Sequence, residues 1–152
     1  MAEVNTTQGA KIVNRTPKLL PHESFGRKRI LASKMPAAYA QLAINDTIFI
    51  GRVPAGSRFT LNSKVGCAAG TASSTLDIGI RSTASGTVID ADGLAASVNT
   101  NAAGQKDANT GALIASGAEY VTTEEVDVYA TVTGAVLAAN QALKFEIEYV
   151  ND

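Results

Sequence analysis

The sequence predicts an all-β protein, an antiparallel jelly-roll-like β-sandwich preceded by an extended basic N-terminal arm. From residue 44 onward, short runs of alternating apolar and polar residues are separated by clusters of Gly, Asn, Asp and Ser. This pattern is typical of antiparallel strands that bury one face. Before residue 44 there is no sustained period of 2 or 3.6, and three prolines disfavour helix. We therefore expect an arm over residues 1–43 and a sandwich over residues 44–152.

The arm combines cations with scattered apolar side chains, which are too many for a solvated linker. We expect it to become ordered on another surface. Its last stretch, PAAYAQLA at residues 36–43, is compatible with a short helix. Proline suits the first helical position, and Ala, Gln and Leu favour continuation of the helix.

The first strands of the sandwich are predicted at residues 46–53 and 58–67. The turn PAGS at residues 54–57 separates them, because Pro54 presets φ and Gly56 can adopt a positive φ. Two strand-like segments joined by such a turn predict a β-hairpin.

Three further strands show the clearest alternation. Segments 74–82, 126–134 and 143–150 place apolar side chains at every second position, so that one face of each strand is buried. Between them the signals are weaker. They predict short strands near residues 88–89, 95–98, 112–115 and 119–121, and an exposed loop at residues 99–111.

Charge is divided unevenly along the chain, although the formal net charge is only −1. Residues 1–43 hold seven basic and two acidic residues, a net of +5. Residues 44–152 hold six basic and twelve acidic residues, a net of −6. The basic cluster at residues 27–29 fits nucleic acid, a plain solvated arm or an acidic protein surface. We favour the acidic protein surface, since phosphate would repel the acidic body.

Candidate catalytic and metal-binding residues are few. Cys67 is the single cysteine and His22 the single histidine, which excludes an intrachain disulfide and a zinc cluster. Cys67 alternates with Val65 on an apolar face, so we expect a buried structural thiol. The DADG segment at residues 90–93 lacks the remaining ligands of a calcium loop. We therefore predict a protein that is not an enzyme and that binds neither a metal nor a cofactor.

An acidic run, Glu124, Glu125 and Asp127, lies at the start of a predicted strand. We expect a solvated edge that blocks pairing with other sheets.

No apolar run approaches the ~20 residues that span a bilayer, and the first residues lack the apolar centre of a secretory signal. These observations predict a soluble protein, made in a cytoplasm, without a membrane partner.

Four phrases of the sequence, taken in order, resemble the capsid decoration proteins of tailed bacteriophages, also called cement or head-stabilising proteins. They are NDTIFIGRVPAGSRFTLNSKV at residues 45–65, STLDIGI at 74–80, EYVTTEEVDVYATVTGA at 119–135 and LKFEIEYV at 143–150. The resemblance implies a jelly-roll or related β-fold on the outside of the mature head. Such proteins form trimers or other small oligomers and bridge neighbouring capsomers. The resemblance does not supply a residue-level site.

The resemblance implies that the partner is the major capsid protein and that the chain forms a homo-oligomer, with a trimer favoured. It also implies a place on the outer capsid surface of the virion, after synthesis in the cytoplasm of the bacterial host. Direct binding of nucleic acid is not expected. The arm would provide the capsid-binding residues, namely Ile12, Val13, Arg15, Lys18, Leu19, Leu20, Phe25, Arg27, Lys28, Arg29, Ile30 and Leu31.

An alternative virion role also fits the sequence. The chain could be a tail or fibre module that binds a glycan of the host surface. Function would then lie on the predicted loops at residues 84–93 and 99–111 instead of the arm.

Overall fold

The structure is a computed structural model that describes residues 27–151. These residues form nine β-strands and one helical turn. In chain order they are β1 Arg27–Lys34, β2 Thr47–Val53, β3 Arg58–Phe59, β4 Lys64–Cys67, β5 Thr75–Ser82, β6 Val88–Asn99, β7 Gly104–Asp107, α1 Ala112–Ala115, β8 Val126–Thr133 and β9 Leu143–Asn151.

The strands form two antiparallel sheets that face each other. Sheet I has the order β1-β9-β4-β7, with the short β3 also paired to β9, and sheet II has the order β2-β8-β5-β6. The pairs β1–β9, β2–β8, β4–β7 and β5–β6 are nested in the chain. This is a long hairpin rolled into two sheets, which is the jelly-roll arrangement. The predicted fold class, an all-β antiparallel sandwich, is confirmed.

The core lies between the sheets and consists of the apolar residues that alternate along each strand. Strand β5 contributes Leu76, Ile78 and Ile80, which are fully buried, and β9 contributes Phe145 and Ile147. Because successive side chains of a strand point to opposite faces, each strand supplies one row to this core. The three strands with the clearest alternation in the sequence therefore lie where they were predicted.

The predicted hairpin over residues 46–67 is wrong. Strand β2 pairs with β8 in sheet II, whereas β3 and β4 pair with β9 in sheet I. The turn between them carries the chain from one sheet to the other, and the buried Ser57 Oγ donates to the Pro54 carbonyl at 2.7 Å. Alternation identifies a strand but does not identify its partner.

Three weaker predictions also differ from the structure. Residues 112–115 form the helical turn α1 instead of a strand, since the Ala115 amide donates to the Gly111 carbonyl at 2.8 Å. Strand β7 lies within the predicted loop at 99–111. Strand β6 joins the two short strands near residues 88–89 and 95–98, and its register with β5 shifts at three places. Short polar strands and bulges leave little period-2 signal.

The segment at residues 36–43 contains no helix. The Tyr39 amide donates to Asn140 Oδ1 at 2.8 Å, and Leu42 forms an isolated β-bridge with Leu137. The backbone groups of this segment are thus used by the loop before β9, and they are not available for hydrogen bonds within a helix.

The sandwich begins at Arg27, inside the segment that the sequence assigned to the arm. Strand β1 pairs with β9 over eight successive residues. Most of its residues are exposed and only Leu31 and Ser33 are half-buried. A strand that buries so few side chains carries almost no alternation in its sequence, and this is why it was assigned to the arm.

Candidate interaction surface

Strand β1 is the element on which five of the predicted capsid-binding residues lie, and it forms one edge of sheet I. Its register with β9 places Arg29, Leu31 and Ser33 opposite Tyr149, Ile147 and Phe145, on the face directed to the core. The intervening residues Lys28, Ile30, Ala32 and Lys34 therefore lie on the outer face of the sheet. One face of β1 therefore packs toward the core, and the other is exposed on the outside of sheet I.

Leu31 contributes to the packing of the sandwich. Its side chain packs against the core cluster, and a Cβ atom placed on Gly51 of β2 would lie 3.2 Å from Leu31 Cδ2. The absence of a side chain at Gly51 leaves the space that Leu31 fills. Leu31 thus closes one side of the sandwich where the edges of the two sheets approach each other.

Lys28 is also engaged within the chain. Its Nζ atom lies 2.8 Å from Oε2 of Glu148, and Oε1 of Glu148 accepts hydrogen bonds from Thr60 Oγ1 at 2.5 Å and Asn62 Nδ2 at 3.2 Å. The Glu148 residue is buried, with a relative exposure of 7%. This carboxylate connects β1, β9 and the turn that follows β3.

The surroundings of Glu148 act on its pKa in both directions. Burial alone would raise the pKa of this carboxyl group. The hydrogen bonds from Lys28, Thr60 and Asn62 and the charge of Lys28 outweigh burial and hold the pKa below its ordinary value. Glu148 is consequently ionised in the folded protein under neutral and mildly acidic conditions.

Glu148→Gln is expected to lower the free energy of unfolding at pH 7 by about 1–3 kcal/mol, because Lys28 loses its charged partner. The pKa of the Glu148 carboxyl group is lower in the folded state than in the unfolded state. The stabilisation by its charge is therefore complete at a pH above the unfolded-state pKa, and it is lost as the pH falls through the folded-state pKa. The difference between wild type and variant should therefore shrink below about pH 4. Urea unfolding at pH 7 and pH 3 measures both differences.

The matched control is Glu146→Gln, because the Glu146 side chain is half exposed and, within residues 27–151, its ion pair is with the flexible Lys144 at 3.4 Å. This change should cost less than about 0.5 kcal/mol at either pH. An equal loss of stability for Glu148→Gln at pH 7 and pH 3 would contradict the assigned role of its charge.

A second buried carboxylate lies in sheet II. The Asp127 Oδ1 atom accepts from Arg52 Nε at 2.8 Å and from Thr83 Oγ1 at 2.9 Å, and Arg81 Nε lies 3.6 Å from Oδ2. Burial would raise the pKa of Asp127, but these hydrogen bonds and the two guanidinium charges lower it overall. The sequence placed Asp127 on a solvated edge, which is wrong, because β2, β5 and the β5–β6 turn supply partners around it.

The twelve predicted capsid-binding residues divide into two groups. Arg27, Lys28, Arg29, Ile30 and Leu31 lie on β1, where Ile30 is 55% exposed. The other seven lie outside the described residues, and they are Ile12, Val13, Arg15, Lys18, Leu19, Leu20 and Phe25. The sequence did not single out Glu148 as a partner of this surface, because alternation along β9 placed it on the solvent-facing side.

The side chain of Cys67 carries the single thiol of the sequence. Cys67 is half-buried, its Sγ atom lies 3.2 Å from the Ala102 carbonyl oxygen, and burial raises the pKa of its thiol. A raised pKa disfavours the reactive thiolate. Within the same range, no three His, Cys, Asp or Glu side chains come together as metal ligands, and no helix is long and apolar enough to cross a membrane. His22 lies outside the described residues.

Comparison with known proteins gives a likeness of fold. No family model matches the sequence, and no curated protein sequence matches it significantly. A chain in the capsid of Ralstonia phage GP4 is similar, with a TM-score of 0.61 and 18% identity over 84% of this chain and 86% of that one.

Two weaker likenesses have TM-scores below 0.5. One is to a chain of the cyanophage Pam1 capsid asymmetric unit, with a TM-score of 0.47 and 12% identity over the whole of both chains. The other is to a chain of the acid-stable capsid of Helicobacter pylori bacteriophage KHP30, with a TM-score of 0.41 and 14% identity over 82% of this chain and 93% of that one. The sequence predicted a resemblance to the capsid decoration proteins of tailed bacteriophages. The likeness to a chain of the phage GP4 capsid confirms the fold that this resemblance implied.

Proposed function

We propose that this protein is a structural component of a phage virion that binds the outer surface of the capsid and stabilises the head. In this role it bridges neighbouring subunits of the major capsid protein. The observation that carries the proposal is the likeness of fold to a chain of the phage GP4 capsid, which extends over 84% of this chain.

The distribution of charge supports a binding role for the N-terminal part of the chain. Strand β1 carries four cations and no acid, whereas residues 44–152 have a net charge of −6. The cations of β1 and of residues 1–26 would pair with acidic groups of the capsid, and the apolar residues of that segment would settle between capsid subunits. A trimer would present three such segments on one body and gain from avidity.

The role proposed here is structural and not enzymatic. Within residues 27–151 the two buried carboxylates, Glu148 and Asp127, are each satisfied by cations of other strands and hydroxyl groups of the adjoining turns. Such pairing holds the strands together, and an ionised carboxylate with its hydrogen bonds satisfied is a poor general acid or base.

Attachment to heads tests the proposal. The full chain is expected to co-sediment with purified heads that lack it, and a chain without residues 1–26 is expected to bind at least about tenfold more weakly because avidity is lost. The truncated chain retains all strands of the sandwich, so its far-UV circular dichroism serves as the control for folding.

Two results would count against the proposal. Equal attachment of the full and truncated chains would remove residues 1–26 from the binding surface. Failure of the full chain to bind heads, together with binding of the sandwich to host glycans, would favour a tail or fibre module.

A further inference from the structure

Within residues 27–151 the strand orders of the two sheets end in β1 and β7 and in β2 and β6, and of these four strands only β1 is both long and regular. Strand β2 has a bulge between Phe49 and Gly51, β6 shifts its register three times, and β7 has four residues. Bulges and short length are devices that prevent pairing with other strands. Strand β1 lacks both, since its eight residues pair with β9 in one continuous register.

The open side of β1 can be assigned residue by residue. The Met35 amide donates to the Leu143 carbonyl at 2.9 Å, which continues the register of β1 with β9. Because hydrogen-bonded pairs alternate along antiparallel strands, Ser33, Leu31 and Arg29 direct their backbone groups to β9. The amides and carbonyls of Lys28, Ile30, Ala32 and Lys34 face away from β9.

These four residues are exposed, and no other strand of residues 27–151 pairs with their side of β1. The exposed N–H and C=O groups form a template for one more strand. The 55% exposed side chain of Ile30 adds an apolar contact on the outer face.

The charges of this edge select its partner. Lys34 lies directly opposite Lys144 of β9, and it has no ion pair with any residue in the range 27–151. Like charges in directly opposite positions destabilise a sheet. Two copies of β1 side by side would bring two sets of four cations together, which disfavours pairing with a second copy of this chain. An acidic strand would relieve the repulsion.

We propose that the open side of β1 is a docking site for an extended acidic segment of another protein, which adds to sheet I as a further strand. The backbone groups of Lys28, Ile30, Ala32 and Lys34 would pair with it, and Lys34 would meet its acidic side chains. On the proposed function, on which this identification of the partner rests, the segment belongs to a capsid subunit.

The variant Ile30→Pro tests the backbone pairing. Proline removes an amide that faces away from β9 and is tolerated on the open side of an edge strand, so the sandwich should stay folded. Binding to purified heads is expected to fall about tenfold, from the lost hydrogen bond and the interrupted strand. Ile30→Thr is the matched control, because it loses a similar apolar side chain but keeps the amide, and it should bind within about threefold of wild type. Equal binding by both variants at equal thermal stability would overturn the proposal.

The variant Lys34→Glu separates binding from stability. A glutamate opposite Lys144 replaces a like-charge pair by an opposite-charge pair, so the melting temperature should stay equal or rise slightly. Binding to heads should nevertheless fall about tenfold, because the edge loses a cation and gains an anion. Unchanged or stronger binding would contradict an acidic partner.

A peptide probe tests the docking site without heads. An acetylated and amidated heptapeptide of alternating glutamate and valine should slow hydrogen exchange at the amides of Ile30, Ala32 and Lys34 in the full chain, as followed by NMR. The same peptide with lysine in place of glutamate should have no effect.

The peptide and the heads separate the two proposals. Slowed exchange with the acidic peptide but no binding of the wild-type chain to heads would refute the proposed function and keep the docking site. The absence of any difference between the peptides, or amides of Ile30 and Ala32 that are already protected in the isolated chain, would overturn the docking site.

Discussion

Deleting residues 1–35 is expected to prevent folding of the sandwich, whereas a chain without residues 1–26 keeps β1 and should still unfold cooperatively. The longer deletion removes β1 and with it eight residue pairs along β9. It also removes Leu31 from the side of the core and leaves the buried Glu148 without Lys28. Together these losses should exceed about 5 kcal/mol, which is the whole stability of many domains.

The two truncations form a matched pair, since they differ only by β1 and the residue that follows it. Circular dichroism and thermal unfolding of both chains, at equal concentration, provide the measurement. If the chain without residues 1–35 melts at the same temperature as the chain without residues 1–26, then β1 is not part of the stable sandwich. In that case a loss of head attachment by the longer deletion would report on binding by β1, because the chain would still be folded.

Gly79→Ala is expected to destabilise the protein by about 3 kcal/mol or more. Gly79 lies on the outward face of β5, where β6 departs from regular register. A Cβ atom at this position would overlap the carbonyl oxygens of Asp90 and Ala91. Because both contacts are backbone atoms of a paired strand, relief would require β6 to move away from β5.

Gly66→Ala is the control for this prediction. The three atoms nearest to a Cβ atom on Gly66 would all belong to the flexible side chain of Lys144, with Cε at 2.9 Å. Lys144 can move into solvent, and alanine is favoured over glycine in a strand, so the change should be neutral within about 1 kcal/mol. Urea denaturation of the two variants measures the contrast. Equal stability of Gly79→Ala and wild type would show that β6 is not held against β5 as described.

The two groups of variants address different properties of the molecule. Gly79→Ala and the longer truncation act on the sandwich, and they should impair every function that needs a folded chain. Ile30→Pro and Lys34→Glu act on exposed groups of β1 and should leave the sandwich intact. A binding defect in the second group alone would locate the interaction at the open side of β1.

The sequence alone predicted the features that depend on neighbouring residues. Alternation placed β5, β8 and β9 correctly, because each buries one face continuously against the core. The excess of cations before residue 44 was also evident without a structure. These signals arise within a few residues of each other, so a single sequence contains them in full.

The pairing of the strands and the burial of particular polar residues became known from the three-dimensional structure. Leu31 and Lys28 were predicted as capsid-binding residues, and the fold also brings them to Ile147, Glu148 and Gly51 of the same chain, which the sequence did not predict. Lys34 was not predicted as a site residue, since its significance depends on Lys144, which lies opposite it across the sheet. The physical reason is that period-2 alternation defines the two faces of a strand, whereas partner and register are set by contacts between residues that lie far apart in the chain.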